Sequence, residues 1–101
     1  MDDWQRNLIS QIADQIDAHL REQQSVGQTL INARGLFDAA DVMGRADRDA
    51  FERLWFQVSL EDEARDPEFP TGTFSAERLN VALQALRSWA LRTGAGDSVS
   101  N

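Results

Sequence analysis

The stretch from Asp47 to Leu60, D-R-D-A-F-E-R-L-W-F-Q-V-S-L, constrains the fold more than any other part of the chain. Phe51, Leu54, Trp55 and Val58 fall at i, i+3, i+4 and i+7, which gathers them on one side of a helix and marks that side as core. Asp47 reads as the N-cap. Its carboxylate can accept from a first-turn N–H, and with Asp49 and Glu52 it suits the positive end of the helix dipole. The same wheel turns Phe56 and Leu60 about 140° to 180° away from Phe51. Two large apolar side chains therefore point off the packing face and need a second partner.

The rest of the chain supplies three more helices. From Asp3 to about Gln23, Trp4, Leu8, Ile12, Ile16 and Leu20 recur every four residues with Ile9 and Ala13 beside them, a broad stripe able to touch two neighbours. Ser25-Val26-Gly27-Gln28 fits a capping box, so a second helix begins at Val26. Val26, Leu30, Ala33, Phe37 and Ala40 keep helical spacing through Gly35, which predicts continuity to Met43 with Gly44 as the stop. The rival reading caps one helix at Gly35 and starts another after Asp38.

Beyond the central helix, Pro67, Pro70 and Gly72 break any regular element. Ser75 caps a last helix whose core stripe is Leu79, Ala82, Leu83, Leu86 and Ala90, with Phe74 and Leu79 as a hydrophobic staple, Trp89 at the edge and Gly94 as the end. The expected fold is all-α: a compact four-helix bundle, mostly antiparallel, with one long acidic Pro-containing loop before the last helix. Its helices are predicted near Asp3–Gln23, Val26–Met43, Asp47–Glu63 and Ser75–Thr93, and the long loop gives the last one room to cross over. Residues 1–94 form a single helical domain in this reading, and 95–101 a flexible polar tail.

Composition bears on function mainly by exclusion. A chain of 101 residues can build a core without metal or disulfides, and with no cysteine nothing in it depends on an oxidising compartment. The N-terminal residues lack the apolar run of a signal peptide and no stretch is long enough to cross a bilayer, so a soluble cytoplasmic protein is expected. The net charge of −7, with arginine as the sole basic residue type besides one His, disfavours nucleic acid and anionic membrane and favours a basic protein partner.

Chemistry is poorly supplied. With one His and no Cys, Tyr or Lys, the chain offers few groups for catalysis, and no catalytic residue, metal or cofactor is assigned. His19 lies in the apolar stripe of the first helix and reads as a packed edge residue. Asp47-Arg48-Asp49 starts like a calcium loop but lacks the glycine such a loop requires. The segment A-A-D-V-M-G-R-A-D-R-D-A-F-E-R-L has the pattern of a helix-turn-helix, yet its second helix would bring Asp47, Asp49 and Glu52 to the phosphates.

What is left is a surface. Phe56 and Leu60, the acids Glu61, Asp62, Glu63, Asp66 and Glu68, and the off-stripe Leu91 form a candidate partner-binding set in which apolar anchors supply desolvation and carboxylates steering. The alternative is that Phe56 and Leu60 pack under Phe69 or Phe74. An acidic helical chain with a Pro-containing acidic stretch before a Trp- and Arg-bearing final helix resembles the nuclease-colicin immunity proteins, which bind basic toxin domains. The likeness covers Glu61 to Gly94, and the absence of Tyr removes the tyrosine pair that family uses for binding. The reading is a non-catalytic protein-binding module, namely an inhibitor, immunity factor or adaptor. A helix-turn-helix regulator and a homo-oligomeric structural subunit are the alternatives, and a homodimer over the same patch would set its acidic loops against each other.

Overall fold

A computed structural model describes residues 1–66 and 74–96. Four helices follow in order, α1 (Asp3–Leu20), α2 (Val26–Ala40), α3 (Arg45–Glu63) and α4 (Ala76–Ala95). Each neighbouring pair is antiparallel, as rungs between them show: Gln5 to Ala40 and Asn32 to Gln15, Arg34 to Glu52 and Trp55 to Leu30, Arg78 to Glu61, Arg87 to Asp17. α1 and α3 each pack on α2 and α4, so the helices close into an up-down-up-down ring and α4 returns beside α3 instead of crossing over. Residues 67–73, with Glu68 and Phe69, and the tail from residue 97 lie outside the described residues.

The core forms where the four stripes meet. Ile9, Ile12 and Ile16 of α1, Phe51 and Val58 of α3, and Leu83 and Leu86 of α4 are fully buried. Phe37 and Phe51 stack with ring centroids 4.0 Å apart, and Trp89 tilts against both at 6.1 and 5.8 Å. Trp89 is thus a core residue at 7% exposure, where the sequence placed it at the edge of its stripe. The α1 stripe is narrower than its pattern. An every-four-residue spacing advances about 40° per step, so Trp4 and Leu20 at its two ends rotate out and are exposed.

Helix ends depart from the sequence reading in several places. α1 stops at Leu20 because Glu22 takes a left-handed conformation (φ 61°), letting Glu22 N–H reach the His19 carbonyl at 2.8 Å and Gln23 N–H the Ala18 carbonyl at 2.9 Å. α2 continues through Gly35 but ends at Ala40, not at Gly44, since Asp41 is left-handed (φ 50°) and Val42 turns into the core. Gln5 of α1 then donates to the Ala40 and Asp41 carbonyls at 2.9 and 3.3 Å, satisfying acceptors the helix end leaves open. α3 begins at Arg45 with Gly44 as N-cap, which puts Asp47 in the first turn, where its charge still suits the dipole.

Ser25 accepts from Gln28 N–H at 3.1 Å, but the Gln28 side chain donates to Asn32 instead, so only half of the capping box is made. Ser75 caps α4 by accepting from Arg78 N–H. Gly94 does not end α4. The helix runs on to Ala95 and is capped by Gly96 (φ 79°), while Gly94 marks where α4 touches α1: a Cβ there would collide with Ser10 Oγ and lie 3.0 Å from the Arg6 carbonyl oxygen.

Candidate protein-binding surface

Position on α3 decides which side chains remain available. Phe51 and Val58 face the axis of the ring, Trp55 and Glu52 turn toward α2, and Glu61 turns toward α4. The remaining arc faces outward and carries Arg53, Phe56, Leu60 and Glu63, all exposed. Phe56 is 60% exposed and Leu60 37%, so the first is largely open and the second only partly covered. Phe74 is elsewhere engaged, half-buried against the core with the Arg65 guanidinium 4.5 Å over its ring.

Two acids of the expected rim, Glu61 and Asp62, are committed to arginines of the chain itself. Glu61 pairs with Arg78 at 3.2 Å and accepts from Gln57 at 3.1 Å. Asp62 pairs with Arg65 at 3.1 Å, one turn along the helix. Asp66 follows the end of α3, its N–H on the Glu63 carbonyl, and Glu68 lies outside the described residues. Glu63 is exposed and points outward beside Leu60.

Leu91, 42% exposed, does not join this group. Arg78 meets Glu61 next to Leu60, and Leu91 stands thirteen residues further along α4, about 20 Å of helix away and rotated toward α1. In its place the fold brings up Ile31, 65% exposed, which the sequence reading did not single out. Ile31 follows Leu30, whose carbonyl receives the Trp55 indole N–H at 2.9 Å, and so stands at the α2 edge of the same seam. Its signal was present: it sits about 100° from Leu30 on the helix wheel, off the stripe, as Phe56 sits about 140° from Phe51.

The seam between α2 and α3 is built around Arg34. Its guanidinium lies 4.6 Å from the Trp55 ring and 5.1 Å from Phe51, and it grips both carboxylate oxygens of Glu52, one at 2.9 Å. Hydrogen bonding to Arg34 holds the Glu52 carboxyl below its ordinary range, and the same bond raises Arg34. Asp17 raises Arg87 in the same way across the α1–α4 seam. All three displacements favour charged, paired forms, which locks helices together and does not set an acid against a base.

Other chemical features resolve into packing. His19 Nδ1 lies 2.9 Å from the Gln24 carbonyl oxygen, and Gln24 Nε2 donates to Gln15 and Thr29 across the α1–α2 turn. Among the described residues no three His, Asp or Glu side chains converge on a point where a metal could sit, and no helix is long and apolar enough to cross a membrane. α2 runs antiparallel to α3, with the Trp55 indole N–H bonded to Leu30, ten residues back from the α2 end. No protein-family model matches the chain, and comparisons with curated proteins and with solved structures return no significant match.

Proposed function

We propose that the chain is a non-catalytic protein-binding module, of the inhibitor, immunity-factor or adaptor kind, whose contact surface is the outer face of α3. The observation that carries this reading is the exposure of Phe56, with Leu60 one turn away and Ile31 across the seam, while Phe37, Phe51 and Trp89 are buried in the core and Trp55 is bonded to the Leu30 carbonyl. Adjacent exposed apolar groups of this size mark interaction sites, because covering them releases water from a surface that the fold itself leaves wet.

The net charge of −7 disfavours duplex DNA as a partner met at long range. Immobilised wild-type chain and the double variant Phe56→Asp, Leu60→Ser, each verified as folded by circular dichroism, are to be compared for retention of protein and of duplex. Retention of a protein by the wild type and its loss from the variant supports the reading. Retention of nucleic acid alone, or unchanged protein binding by the variant, overturns it.

A further inference from the structure

The outward stripe of α3 reads the same in both directions. Arg53, Phe56, Leu60 and Glu63 follow a three-four-three spacing, the repeat that keeps a seam facing a partner helix in a left-handed coiled coil. Val58 lies at the midpoint: Phe56 is two residues before it and Leu60 two after, Arg53 five before and Glu63 five after. Two copies of this stripe laid antiparallel about a twofold axis at the level of Val58 therefore set each Phe56 against the partner's Leu60. The same operation sets each Arg53 against the partner's Glu63.

The charges are free for this pairing. Arg53 and Glu63 are exposed and neither has an ion-pair partner among the described residues, whereas the neighbouring Glu52, Glu61 and Asp62 are each held by an arginine of their own chain. The stripe is thus electrically balanced despite the acidity of the whole molecule. A basic heterologous partner would require surplus negative charge along the stripe, and a second copy requires the one-plus, one-minus pattern it has.

Resting on the reading that the outer face of α3 binds protein, we propose that its occupant is a second copy of this chain, paired α3 to antiparallel α3 in an isologous dimer. A contact centred on one helix per protomer falls at the small end of protein interfaces, so association is to be followed over a wide concentration range, from about 1 to about 500 μM.

Analytical ultracentrifugation of the wild type, Arg53→Glu, Glu63→Arg and the doubly exchanged Arg53→Glu, Glu63→Arg chain tests the pairing. Each single exchange places like charges opposite one another twice per dimer and is expected to weaken association by about tenfold or more. The double exchange restores it. These residues are exposed, so the variants keep the fold even if Phe56→Asp does not. A wild type that stays monomeric throughout the range overturns the dimer, as does a dimer indifferent to all three exchanges. A monomeric wild type whose Phe56→Asp, Leu60→Ser variant still loses a captured protein sinks the second copy as occupant but leaves the protein-binding reading standing. If the captured protein is also retained unchanged, both fail.

Discussion

The indole N–H of Trp55 donates to the backbone carbonyl of Leu30 at 2.9 Å, tying α3 to α2 near the middle of both helices. Trp55 is only half-buried, its ring covered on one side by Arg34, whereas Trp89 is buried against Phe37 and Phe51. Trp89→Ala is therefore expected to cost about 3–5 kcal/mol, the range for a large core aromatic. Trp55→Ala should fall lower, near 2–3 kcal/mol, because less of its surface leaves water. Trp55→Phe, which removes the indole N–H and little of the packing, should cost about 1 kcal/mol. Urea unfolding of the three variants gives the order.

Two glycines in helices should respond to alanine with opposite signs. At Gly94 the new methyl meets Ser10 and the Arg6 carbonyl, so Gly94→Ala should destabilise by about 1–3 kcal/mol, overcoming the gain in helix propensity. At Gly35 nothing lies within 4 Å of the added carbon, so the same change should stabilise by about 0.5–1 kcal/mol. Thermal melts of the pair, with Ser10→Ala added to Gly94→Ala to recover part of the loss, check both.

Acid should loosen the α2–α3 seam. The Glu52 carboxyl is held below its ordinary range by its hydrogen bonds to Arg34, so its contribution is fully present above the unfolded value of ~4.3 and is lost as pH falls through that value and below. More than half of the side chain is open to solvent, and screening keeps the effect under about 1 kcal/mol. Stability measured from pH 7 down to pH 3 should fall less steeply for Glu52→Gln than for the wild type, with Arg34 charged throughout.

The helix caps make a matched pair. Ser25→Ala removes the acceptor for Gln28 N–H and should cost about 1 kcal/mol. Asp47 sits inside the first turn of α3 and does not cap it, so Asp47→Ala should cost only the dipole contribution, about 0.3–1 kcal/mol, and that cost should shrink in salt. Equal, salt-independent losses at the two sites would contradict this assignment.

Helix number, order and core faces were legible because they rest on periodicity, which a one-dimensional sequence carries in full. Phe51, Val58, Leu79, Leu83 and Leu86 needed only their spacing to be placed. The ends were less legible, since Glu22 and Asp41 adopt left-handed backbone that the sequence marks only with glycine, and glycines at 44 and 94 drew the stops toward themselves. Trp89 was misplaced because an aromatic side chain reaches inward from the edge of a stripe. At the candidate surface, exposure of Phe56 and Leu60 followed from their angle on the helix. That Glu61 and Asp62 would be taken up by Arg78 and Arg65, and that Ile31 would arrive from α2, depends on which helices become neighbours.

The contact of α4 with α1 at Gly94 also has a bearing on how the ring breathes. Where a helix carries hydrogen in place of a side chain, two backbones approach closely and leave little slack, and the Asp17–Arg87 pair reinforces the same seam. The α2–α3 seam opposite it is the least closely packed of the four, held by Trp55, Arg34 and the stacked phenyl rings. Opening should therefore run from the α2–α3 side inward, with amide protons of α1 and α4 the last to exchange with solvent. The helix whose outer face is proposed for recognition belongs to the half that yields first, so anything that settles on α3 would also slow the loosening of the whole molecule.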